Sequence, residues 1–237
     1  MSIVFFAGDK GGVGKSIACM AFIEWIFLKK LDYQLIEGDT SNDNVYKSYK
    51  NHIKSHQFNL GVSEGWRELM DLIEINNNIN LVINTPARLD EIIKTEAEIF
   101  EEVCQELNQK IIIFWMINRQ KDCVVSLKRA LSLFQKSCFI VVKNLYFGTS
   151  NKFLIWDESE VKKNFDQKNG KTIEFPELND RAVDKVLNAR FSFYESLENS
   201  VTNSDKLDNQ RIMISDKTDI QRWLRLTSNL FDSAQIG

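Results

Sequence analysis

Asp9, Lys10, Gly11, Gly12, Val13, Gly14, Lys15 and Ser16 stand between an apolar run and a helical pattern. Glycines at this spacing let successive backbone N–H groups turn inward around an anion, and the following helix N-terminus adds positive potential. Lys15 would reach the β- and γ-phosphates of a nucleotide, the Ser16 hydroxyl would ligate Mg2+, and Ile17 follows as the next nucleotide contact. A glycine-rich turn with a chance Gly-Lys-Ser is the plain alternative; the strand-turn-helix context stands against it. Two more polar clusters follow short apolar runs: Glu37-Gly38-Asp39-Thr40-Ser41-Asn42, and Asn84-Thr85-Pro86-Ala87. Each is either a ligand site at a strand end or a polar turn made of residues that favour turns.

The elements that must position these groups are legible as runs and periods. Ser2 to Ala7, Tyr33 to Ile36, Leu81 to Ile83, Lys110 to Ile117, Cys138 to Val142 and Thr172 to Phe175 read as strands, the first continuous enough to be buried on both faces. Ser16 to Lys30, Gly65 to Ile75, Glu91 to Asn108 and Val124 to Gln135 read as helices, and a mainly helical C-terminal region follows. Strands alternating with helices predict an α/β fold with a mainly parallel central sheet flanked by helices. With 237 residues and no low-complexity linker, residues 1–237 are expected to form a single domain. Residues 146–170 are polar without a clear period and read as an irregular excursion.

Lys10 narrows the reading. The stretch Lys10-Gly11-Gly12-Val13-Gly14-Lys15-Ser16 resembles the deviant Walker motif of the ParA/MinD family of dimerising P-loop ATPases, although Asp9 stands where the Walker pattern opens with glycine. The resemblance implies ATP and Mg2+ as ligands and a homodimer formed on ATP binding. It gives Lys10 a reach across the interface to the partner's phosphates, where an ammonium would offset transition-state charge. Glu37 and Asp39 match the two acids of the family's first switch, which implies that Asp39 orients the attacking water and belongs to the Mg2+ site. Asn42 is similar to the asparagine of the conjugation and plasmid-stability branch (TraL, StbB and MobD types). Asn84 stands where the second switch carries an aspartate that bonds a Mg2+-bound water. An amide accepts one hydrogen bond through its carbonyl but brings no charge, so weaker magnesium dependence or slower hydrolysis is expected. Asn144 resembles the family's adenine reader, with Asn118 as an alternative, and Phe175-Pro176-Glu177-Leu178 resembles the stretch covering the base, with Pro176 and Leu178 as contacts. The loop and both switches span roughly the first ninety residues.

A formal net charge of −3 supplies no global field for nucleic acid. Arg181, Lys185 and Arg190 could form a DNA patch, but interleaved acids favour a solvated face. His52 and His56, spaced i and i+4, could share a helix face; a surface pair is the simpler reading. Four scattered cysteines read as buried small side chains in a reducing compartment. Neither a signal peptide nor a membrane span is expected, and the location is expected to be cytoplasmic. The amphipathic helix Asp219 to Phe231 is expected to pack on the sheet rather than lie on lipid, as the final helix of MinD-type relatives does. The resemblance thus implies a slow or ordinary ATPase, an ATP-sandwich dimer switching in plasmid partition, mobilisation or conjugal transfer. It would act through an adaptor or relaxosome protein, with DNA contact indirect. A nucleotide-gated binding module with little hydrolysis and an amidoligase-type metabolic enzyme remain alternatives.

Overall fold

Apolar runs without polar alternation cannot leave one face in water, so they end inside a sheet covered on both sides. The computed structural model describes residues 1–76, 78–198 and 211–234. Its elements run β1 (Ser2–Ala7), α1 (Lys15–Lys29), β2 (Gln34–Glu37), α2 (Asn44–Tyr49), β3 (Ser55–Gln57), α3 (Ser63–Ile75), β4 (Leu81–Asn84), α4 (Ile93–Glu106), β5 (Lys110–Ile117), α5 (Lys121–Leu133), β6 (Cys138–Asn144), α6 (Leu154–Asp157), α7 (Glu160–Gln167), β7 (Lys171–Phe175), α8 (Asp180–Ala189), α9 (Phe193–Glu198) and α10 (Ile214–Ala234). The strand order is β3-β2-β4-β1-β5-β6-β7. Every neighbouring pair is parallel. After β1 the chain fills one half of the sheet, returns through β4, and crosses to the other half at β5. The crevice at the carboxyl ends of β4, β1 and β5 is the place such sheets offer to ligands.

One apolar layer carries the helices that position the phosphate loop. Phe6 of β1 stacks on Phe114 of β5 at 5.0 Å and meets Phe22 of α1 at 5.4 Å. Phe231 of α10 closes this group edge-on against Phe22 at 5.1 Å and Phe114 at 5.8 Å. On the opposite face Phe5 packs with Trp66 of α3 and Phe100 of α4. The C-terminal helix therefore packs on the sheet, as its single apolar face required. No described helix is long and apolar enough to cross a membrane.

Several local expectations change. Residues 146–170 are ordered into short helices, too short to show a helical period, and are anchored by buried Phe153, Trp156 and Phe165. Lys143 ties the segment to β6 through Asp157 at 2.8 Å. The edge strand β3 and the short helix α2 carried no period long enough to read. The histidines do not share a helix, because α2 ends at Tyr49 and β3 starts at Ser55. His52 instead meets Glu195 at 3.1 Å, and His56 meets Gln34 at 3.1 Å. Cys19, Cys104 and Cys123 are buried as expected, whereas Cys138 is exposed at the start of β6. Arg181 and Arg190 lie on an exposed, charged face as expected, whereas Lys185 is buried beneath it. Arg181 and Lys185 both reach buried Asp216, at 2.7 and 2.8 Å, and fasten α8 to α10.

A half-buried acid contributes to the pH response of this layer. Glu24 of α1 accepts from the Tyr49 hydroxyl at 2.6 Å and from the Tyr194 N–H at 3.1 Å. Burial nonetheless pushes its carboxyl above the ordinary 4.5. The folded chain then keeps a proton that the unfolded chain has released, so stability falls as pH rises from 4.5 through the raised native value. Glu24→Gln should therefore gain stability relative to wild type as pH rises through that window, read as diverging thermal midpoints. Phe231→Ala removes a ring from the aromatic layer and should cost about 3–5 kcal/mol in chemical denaturation.

Candidate nucleotide-binding site

The loop after β1 owes its shape to two left-handed glycines, Gly12 at φ 73° and Gly14 at φ 99°. Gly14 is also crowded: a Cβ there would lie 2.3 Å from the Asn144 amide nitrogen. That amide, at the end of β6, donates to the Val13 carbonyl at 2.9 Å and so clamps the loop against the sheet edge. Lys15 is buried at the first turn of α1, and its ammonium donates to the Lys10 carbonyl at 3.1 Å. Burial lowers its pKa, with Asp39 and Asp9 opposing. Burial and then Asp90 hold the Asp9 carboxyl above the usual range. Lys10 points the other way, to Gln120 at 2.7 Å and to Asp122, in the first turn of α5, at 2.8 Å.

The two switch segments meet because β2 and β4 are adjacent and parallel. Their register pairs Glu37 with Asn84, so both side chains leave one face at the same level. The Asn84 amide donates to Glu37 Oε1 at 2.7 Å and lies 3.4 Å from the Ser16 hydroxyl. Gly38 permits the two backbones to approach: a Cβ there would sit 2.7 Å from the Asn84 main-chain oxygen. Glu37 is fully buried and also accepts from the backbone N–H groups of Asp39 and Tyr46, each at 3.2 Å. Burial pushes its carboxyl to about 7 against the pull of those bonds. Asp39 sits at the rim and closes its own turn, accepting from the Ser41 hydroxyl at 2.6 Å and the Asn42 N–H at 3.1 Å.

Asn144, Pro176 and Leu178 line one cavity of about 210 Å³ together with Gly12, Gly14 and Ile17. The base-pocket candidates and the phosphate loop are thereby contiguous. Tyr146, Asp180 and Val183 line it as well, with the Tyr146 hydroxyl 3.3 Å from Asp180. These were not anticipated; an aromatic two residues beyond a strand-end asparagine was the available signal. Asn118 lies elsewhere. Its carbonyl oxygen accepts from the Gln120 N–H at 2.8 Å and the Cys123 thiol at 3.1 Å, and it borders a separate cavity with Lys152 and Leu154.

No family model matches the chain. A curated relative does: Protein MobD of Acidithiobacillus ferrooxidans is 30% identical over 222 residues, which cover 94% of this chain and 92% of the relative. The chain belongs to the MobD family. Solved structures agree on the fold. The septum site-determining protein MinD of Pyrococcus horikoshii, complexed with Mg-ADP, superposes with a TM-score of 0.53 at 12% identity, covering 100% of this chain and 98% of its own. MinD in the MinC:MinD cell division complex of Aquifex aeolicus gives 0.50 at 14% identity, with 96% of each chain covered. The MobD-like chain thus has a P-loop fold with a seven-stranded parallel sheet.

The loop geometry distinguishes its glycines. At Gly14 any side chain meets both a left-handed backbone and the Asn144 amide, whereas a Cβ on Gly11 meets nothing within 4 Å. Gly14→Ala should lower stability by ~1–3 kcal/mol, while Gly11→Ala should leave the thermal midpoint of the ligand-free protein unchanged.

Proposed function

We propose that this MobD-like protein is an ATP-driven dimerisation switch. The reading is carried by the opposite placement of two lysines in one loop. Lys15 is buried inward, where it would serve its own subunit's triphosphate. Lys10 is left at the exposed rim and held only by Gln120 and Asp122. An exposed ion pair of this kind is screened by solvent and weak, so Lys10 is available to a second subunit approaching that rim. Two copies would enclose ATP between them, each presenting Lys10 to the other's phosphates. Asn144, Pro176 and Leu178 would hold the base, and the N–H groups from Asp9 to Ile17 the phosphates.

The residues at the loop also suit a hard cation. Ser16 offers a hydroxyl, and Asn84 Oδ1 is buried with no hydrogen-bond partner among the described residues. A hydrated divalent ion takes oxygen donors of this kind. Ser16 and Asp39 would hold Mg2+, with Asn84 acting through water; the ion would draw negative charge off the triphosphate. Asp39 would orient the attacking water once its turn with Ser41 and Asn42 opens. Hydrolysis would separate the subunits and release an adaptor or relaxosome protein. The switch would serve plasmid partition, mobilisation or conjugal transfer in the cytoplasm, with DNA reached through that adaptor. The relative is named MobD, and the MinD neighbours are recorded with Mg-ADP and with MinC; these names support the reading. The amide at Asn84 supports a second one, a nucleotide-gated module that hardly turns over.

Light scattering on the purified protein should show monomer without nucleotide and dimer with ATP, and Lys10→Ala should stay monomeric while still binding ATP. Lys15→Ala should weaken ATP binding by roughly 10- to 100-fold, the worth of a charge-assisted contact. A protein that stays monomeric with saturating ATP would contradict the switch. Steady-state phosphate release separates turnover from the silent module.

A further inference from the structure

The second switch lacks its carboxylate, yet a buried carboxyl group stands beside it. Glu37 occupies the register position beside Asn84 on the neighbouring strand, and its Oε1 takes the Asn84 amide at 2.7 Å. That bond turns the amide nitrogen toward Glu37. With the nitrogen held by Glu37, Oδ1 must point away from the carboxylate, and it is the atom left buried without a partner. The same amide nitrogen lies 3.4 Å from the Ser16 hydroxyl, so the pair is built against the cation-binding end of the loop. Glu37 is wholly inside the protein, among Tyr46, Asp39 and Asn84. A carboxylate this deeply buried is costly unless something uses its charge.

We propose that Glu37 and Asn84 act as one unit toward the divalent cation of a bound nucleotide, Glu37 supplying from β2 the charge absent from β4 and fixing the Asn84 carbonyl as acceptor. The inference rests on the nucleotide-switch reading. Glu37 is then a positioning residue: it touches neither nucleotide nor reacting atoms, and acts through the amide it holds. Two consequences distinguish this from a merely structural role. The charge is movable between the strands, since the register keeps the two positions adjacent. Adding an acid at Asn84 while Glu37 remains places two carboxylates at hydrogen-bonding distance, which disfavours ionising both.

Calorimetric titration of ATP with magnesium and with EDTA, on wild type and three variants, tests this. Wild type should bind ATP more tightly with magnesium. Glu37→Gln should lose most of that enhancement, by about tenfold or more for a charge-assisted contact, while its EDTA affinity stays near wild type. The swapped pair Glu37→Gln with Asn84→Asp should recover the enhancement. Asn84→Asp alone should lower the thermal midpoint of the ligand-free protein, and the swap should restore it. If Glu37→Gln keeps the full enhancement, or if the swap fails to recover it in a folded protein, the charge relocation is wrong. Equal loss of affinity with magnesium and with EDTA in Glu37→Gln would show a structural role and overturn it too. Absence of ATP binding by the wild type in either condition would overturn the nucleotide-switch reading itself.

Discussion

A parallel sheet delivers the carboxyl end of every strand to one edge, and everything this chain offers to a ligand depends on that constraint. β1 ends in the phosphate loop, β2 in Glu37, β4 in Asn84 and β6 in Asn144. None of these groups is close to another in sequence except through the loop itself. The crossing of the chain at β1, between β4 and β5, opens the crevice at that edge. The aromatic layer of Phe6, Phe22, Phe114 and Phe231 fixes α1 against β1, and so fixes where the loop ends and the helix begins.

The electrostatics of the edge are uneven in a way that suits anion binding. Lys15 is held inside with its charge partly desolvated, which raises its value to an incoming phosphate. Lys10 lies at the rim in an ion pair with Asp122 that solvent screens and that is easily released. Burial raises the pKa of both Glu37 and Asp9 above the ordinary carboxylate range. Asn144 joins the two halves of the site: its amide clamps the loop at Val13, and its side chain lines the adjoining cavity.

Much of this was legible in the residues. The loop, both switch segments and the strand Lys110–Ile117 stood out because glycine spacing and unbroken apolar runs are local signals with local causes. The helix packing of the C-terminal segment followed from a single apolar face. The excursion after β6 was not legible, since its helices are shorter than the period that would announce them. Nor was the fate of Arg181 and Lys185, whose partner Asp216 lies more than thirty residues away.

By itself the sequence determined the chemistry at hand: a glycine loop that can close on phosphate, two lysines within it, and acids or amides at the strand ends. Which of those groups act on one another was decided only by the fold. Glu37 and Asn84 lie 47 residues apart, and nothing local marks them as a pair. Strand order and register, set by the burial of β1, β2 and β4 together, bring a carboxylate beneath an amide and turn two separate residues into one arrangement.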